Sequence, residues 1–135
     1  MMSWDMVPLA RQVDAALQEM AEELKGMFAG TIVFQIRNDA VGKFGIRHLP
    51  LECEERESDN SSSAGGLSAE QVEKLRRMAV EALVHKKSWT HGEITYDFLL
   101  KQGKVNLSVQ FESNYNMANL MFRLSPKRRD RREAN

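Results

Sequence analysis

"SWTHGEITYDFLLKQGKVNLSVQFES", residues 88–113, alternates apolar and polar side chains on both sides of a central Gln102-Gly103 pair. A period of two belongs to a strand with one buried face. With Gln102 and Gly103 at the two middle turn positions, Leu100 falls opposite Val105 and Phe98 opposite Leu107. Tyr96 then meets Val109, and Ile94 meets Phe111. All four pairs are apolar, whereas the other face sets Leu99 against Asn106, Asp97 against Ser108 and Thr95 against Gln110. A slip of one residue would turn every apolar side chain to the wrong face, so the pattern predicts the register as well as the strands. Gly103 supplies the positive φ that a tight hairpin turn needs. The stretch therefore predicts a β-hairpin forming one wall of a core.

The same period occurs earlier in the chain. TIVFQIR (31–37) places Ile32, Phe34 and Ile36 on one face, and KFGIRHL (43–49) places Phe44, Ile46 and His48 likewise, with a turn between Asn38 and Gly42. A helical period precedes this hairpin: Met6, Leu9, Val13, Leu17, Met20, Leu24 and Met27 recur at steps of three or four. Arg11, Gln12, Asp14, Gln18, Glu19, Glu22 and Glu23 fall on its other sides. Asp5 is the expected N-cap, Pro8 sits in the first turn, and Gly26 and Gly30 bracket the end. The second helix opens at Ser68, with Gln71 three residues on to complete a capping box and Leu67 and Val72 as a hydrophobic staple. Val72, Leu75, Ala79, Ala82 and Leu83 form its apolar stripe, and His85, Lys86 and Lys87 close its last turn, where cations suit the helix dipole. In residues 114–126, Met117, Leu120, Met121 and Leu124 suit a short helix, while Leu120, Phe122 and Leu124 would suit a strand; the helix is the preferred reading.

These elements predict an α+β fold. Two helices pack on a four-stranded antiparallel sheet in the order α-β-β-α-β-β, followed by a short C-terminal element. A chain of 135 residues is long enough for one real core. Residues 1–126 are read as a single domain. "ECEERESDNSSSAGG" lacks apolar periodicity, so 52–66 is expected to be a flexible acidic loop, and 127–135 a disordered basic tail.

The formal net charge of zero conceals a split. Residues 1–66 carry six Lys/Arg against eleven Asp/Glu, and residues 67–135 carry thirteen against eight. Such asymmetry acts on association more than on folding. Cys53 is the only cysteine, which excludes an intrachain disulfide and favours a reducing compartment. The N-terminal residues have neither a basic n-region nor an uninterrupted apolar run, so the expectation is a cytoplasmic protein without a membrane anchor.

Catalytic and cofactor motifs do not emerge. His48, Cys53, His85 and His91 lack the paired spacing of metal ligands. Glu52, Glu54 and Glu55 disfavour a Cys53 thiolate, and the serines at 61–63 sit in the expected loop. Neither a dinucleotide-binding nor a P-loop glycine pattern is present. The reading is of a non-enzymatic protein without catalytic residues, cofactor or metal. Glu54, Glu55, Glu57 and Asp59 are the candidate contacts to a basic protein partner, with Trp89 as core residue or interface anchor. The alternative is nucleic-acid binding through Lys127, Arg128, Arg129, Arg131 and Arg132, diluted by Asp130 and Glu133.

The layout from residue 9 to 112 resembles the YezG-like (DUF600) immunity proteins. The matching positions are Trp89 and Thr90 leading into a strand, Gly103 and Lys104 at the turn, and Phe111 in the following strand. The chain departs from that pattern at Ser113-Asn114-Tyr115-Asn116, and its basic tail is foreign to it. The resemblance implies a cytoplasmic protein that neutralises a cognate toxin, often a nuclease, by occluding its surface.

Overall fold

The computed structural model describes residues 7–50, 65–86 and 91–124. The described residues form an α+β fold built on a four-stranded antiparallel sheet. In chain order the elements are α1 (Leu9–Glu19), α2 (Ala21–Leu24), β1 (Ala29–Arg37), β2 (Ala40–His48), α3 (Ala69–Glu81), β3 (His91–Lys101), β4 (Lys104–Ser113) and α4 (Met117–Leu124). One 3-10 turn, Ala82–His85, extends α3. The sheet order is β2-β1-β3-β4, so β1 and β3 are central and the chain crosses over β1 through α3.

The 88–113 reading holds in detail where the residues are described. Ile94 pairs with Phe111, Tyr96 with Val109, Phe98 with Leu107 and Leu100 with Val105. Gln102 and Gly103 adopt φ values of 52° and 76°, the left-handed conformation of a two-residue hairpin turn. The two strands are buried unequally. Ile94, Tyr96 and Phe98 on central β3 are buried, while Val105, Leu107, Val109 and Phe111 on edge strand β4 are only half-buried.

The first hairpin is longer and tighter than its sequence suggests. Its turn is only Asn38 and Asp39, at φ 54° and 62°, and β2 begins at Ala40. Gly42 belongs to a bulge instead: the register moves from Gln35↔Lys43 to Ile36↔Val41 around it. Gly30 likewise lies within β1 rather than at a helix end.

α1 and α3 cover one face of the sheet. Val13, Leu17 and Leu24 from the N-terminal helices meet Val72, Leu75 and Ala79 from α3 above Ile32, Phe34, Ile94 and Tyr96. The predicted first helix is broken at Met20 (φ −93°, ψ 2°), whose N–H is shared between the carbonyls of Ala16 and Leu17. Both Met20 and Leu24 remain buried across the break. Pro8, not Asp5, occupies the position before the first helical residue, and Asp5 and Met6 lie outside the described residues. Arg76 ties the helices together, reaching Asp14 on α1 at 3.2 Å and Glu73 on its own helix at 2.8 Å.

The capping box of α3 forms as its sequence predicts. The Gln71 N–H donates to Ser68 Oγ at 3.1 Å, and the Ser68 N–H donates to Gln71 Oε1 at 2.9 Å. Gln71 Nε2 also donates to the Gly103 carbonyl at 3.1 Å, so one side chain fixes both a helix start and a hairpin turn. Gln12 does the equivalent for the other hairpin. Its Oε1 accepts from the Val41 N–H at 2.8 Å, and its Nε2 donates to the carbonyls of Val7 at 2.9 Å and Asp39 at 3.3 Å. Gln12 is therefore a buried clamp, not the solvated residue its place on the polar side of the helix suggests.

Gly65 and Gly66, the last two residues of the 52–66 stretch, are described and held. A Cβ on Gly66 would overlap the Gly26 backbone, a closeness that only glycine permits. The Gly26 N–H donates to the Leu67 carbonyl at 2.8 Å, and the Leu67 N–H to the Met27 carbonyl at 2.9 Å. This small bridge seats Leu67 in the core at the start of α3.

Candidate functional site

The first hairpin turn, the start of β3 and the chain after β4 converge at one end of the sheet. Pairing places Arg37 beside His91, and Gln35 between Lys43 and Glu93. Gln35, Arg37, Lys43 and Glu93 alternate with Ile36 and Ile94, so they lie on the sheet face opposite the helices. At the same end the Asn114 N–H donates to the His91 carbonyl at 2.9 Å, which directs the chain leaving β4 back across this rim.

α4 begins there because Asn116 caps it: its Oδ1 accepts from the N–H groups of Ala118 at 2.7 Å and Asn119 at 3.2 Å. The helix preference for residues 114–126 is thus met over Met117–Leu124. None of its described residues is buried. Asn116, Asn119, Leu120 and Arg123 follow the i, i+3, i+4, i+7 spacing of one helical face and line a cleft against the sheet rim. Met117, Met121 and Leu124 occupy another stripe, about 100° round the helix, and are 65%, 56% and 65% exposed.

The cleft has a volume of about 1250 Å³. Arg37 and Lys43 enter it from the sheet and Arg123 from α4, with His91 beside them and Glu93 as the one acid of the lining. None of these three cations makes an ion pair with a described residue. Tyr115 and Phe122 add aromatic surface, 88% and 68% exposed, and Gln35, Asn114 and Asn119 add amides. The combination of positive charge, flat rings and amide groups suits an anionic ligand with planar parts.

The sequence-derived site residues lie elsewhere. Glu54, Glu55, Glu57, Asp59 and Trp89 are all outside the described residues, as are Lys127, Arg128, Arg129, Arg131 and Arg132. Cys53 is outside them too. Of the histidines, His48 Nε2 lies 2.7 Å from Glu23 Oε2, joining β2 to α2. His85 is exposed on the 3-10 turn, and His91 borders the cleft. Among the described residues no three His, Cys, Asp or Glu side chains are grouped to hold a metal ion. Also among the described residues, no helix is long and apolar enough to cross a membrane.

Tyr96 is the described residue whose ionisation the fold clearly changes. It is fully buried, its hydroxyl donates to the Ala79 carbonyl at 2.9 Å, and burial raises its pKa well above the usual phenol range. Its ring meets Phe34 edge-on at 5.8 Å. Packed between sheet and α3, this tyrosine is structural.

Sequence reasoning did not single out Arg37, Lys43, Tyr115 or Arg123. Arg37 and Lys43 flank a hairpin turn and read locally as solvated charges. Only the return of the chain after β4 brings Arg123 to them. The class defined by these observations is an α+β protein with a helix-covered antiparallel sheet and an open, positively charged cleft at one end. No protein-family model matches the chain, and neither a curated protein nor a solved structure matches it.

Proposed function

We propose that this chain is a non-enzymatic binding protein that acts by covering the surface of a protein partner, as an immunity-type inhibitor does. The observation that carries this reading is the apolar stripe of α4. Met117, Met121 and Leu124 are each more than half exposed, at the helical spacing of a docking face. Methionines suit such a face because their flexible, polarisable side chains adapt to a partner. Burying each of the three would contribute about 1–2 kcal/mol.

The charge layout and the family resemblance support the choice of partner. The excess of acids over bases in residues 1–66 favours a basic surface such as that of a nuclease toxin, and steers its approach. The resemblance carried by Trp89, Thr90, Gly103, Lys104 and Phe111 points to the same role. The test is co-expression with the product of a neighbouring toxin-like reading frame. A stable complex and rescue of growth are expected. Met121→Glu with Leu124→Glu should weaken the complex about 100-fold, and lysines at Glu54, Glu55, Glu57 and Asp59 should slow association at low salt. A toxin neutralised equally well by all these variants would refute the proposed surfaces.

A further inference from the structure

We propose that the cleft between α4 and the sheet rim binds single-stranded nucleic acid. This is a further activity, independent of the apolar stripe on α4. Arg37, Lys43 and Arg123 converge from three separate elements on one concavity, and no acid among the described residues neutralises any of them in an ion pair. Converging cations with no ion-pair partner among the described residues are what a phosphate backbone requires. The aromatic component distinguishes this from a generic anion site. Tyr115 presents almost its whole side chain to solvent at the mouth of the cleft. Exposed rings gain by stacking on a base, whatever that base is.

The amides of Asn114 and Asn119 offer both donors and acceptors to base edges. Size then selects a strand over a free nucleotide. A volume of about 1250 Å³ exceeds the roughly 300–1000 Å³ of a site enclosing one small molecule. Glu93 narrows the choice further, since an acid in the lining disfavours phosphates packed on every side. It leaves the cations to hold one backbone between the sheet and α4. A duplex would have to fit its full width against this recess, and its bases would be unavailable to Tyr115.

The test uses the full chain and fluorescence anisotropy with a labelled mixed-sequence single strand of about twelve nucleotides. Saturable binding is expected, and it should weaken about 15–20-fold between roughly 50 and 200 mM salt, as about three phosphate contacts on a single strand dictate. Arg37→Glu with Lys43→Glu should weaken it at least about tenfold, and Tyr115→Ala about fivefold or more. Thermal melts check that these exposed substitutions leave the fold intact. Deleting residues 127–135 separates the cleft from the basic tail. Binding retained by the truncated chain and lost in the cleft variants supports the cleft. Binding lost on truncation but unchanged in the cleft variants overturns it, as does no saturable binding of the strand. Free mononucleotide, duplex and poly-glutamate serve as competitors. Displacement by any of them as effective as by the single strand also refutes the assignment.

Discussion

Replacing Tyr96 with phenylalanine should cost stability in a way that depends on pH. The hydroxyl donates at 2.9 Å to the Ala79 carbonyl, one of the last four of α3, whose acceptors have fewer partners within their own helix. Tyr96→Phe keeps the ring and its edge contact with Phe34 but removes the donor in a site fully closed to water. A lost hydrogen bond plus a less satisfied buried acceptor costs about 1–2 kcal/mol. For a chain of 135 residues that corresponds to about 4–7 °C in Tm near neutral pH. Burial also raises the phenol pKa in the folded state, so the sign of the pH effect is determined. Below about pH 10 both states hold the proton and the contribution of Tyr96 is complete. Above that, the unfolded chain releases the proton while the folded chain retains it. The unfolded state gains about 1.4 kcal/mol per pH unit, and the parent loses that much stability where the phenylalanine variant does not. Urea titrations of both proteins from about pH 8 to pH 11 should therefore show the gap closing near pH 11. Equal stabilities at neutral pH, or a gap constant across the range, would refute the reasoning.

Gln12→Ala should destabilise by about 2–3 kcal/mol, because it leaves the Val41 N–H without its acceptor and frees the Asp39 turn. Hydrogen exchange at the Val41 amide provides the check, and unchanged protection would contradict the clamp. Gly66→Ala should cost about 3 kcal/mol, since its methyl overlaps the Gly26 backbone and forces apart the bridge to Leu67. The control is Gly45→Ala, whose added methyl meets nothing within 4 Å; a similar drop in Tm for both would remove the steric argument.

Much of the architecture was legible because its causes are local. The alternation in 91–113 and the Gln102-Gly103 pair specify two strands, a turn and a register over a few neighbouring residues. The Ser68–Gln71 box needed only a four-residue window. The misreadings also have local causes. Asn38 to Gly42 reads as one turn because bulge and turn favour the same residue types, and only pairing with Gln35 and Ile36 separates them. Gln12 falls outside the apolar stripe of its helix by period, whereas the carbonyl of Asp39 and the N–H of Val41 reward an inward amide.

The sequence by itself determined the fold class, most of the helices and strands with the apolar faces they would bury, and the register of the second hairpin, since side-chain period and turn chemistry act between near neighbours. Tertiary structure decided the order β2-β1-β3-β4, the clamping of each hairpin turn by a helix glutamine, and the convergence of Arg37, Lys43 and Arg123 on one cleft. Those features join residues far apart along the chain. Their proximity is set by how whole elements pack, which the local pattern at any one of them does not encode.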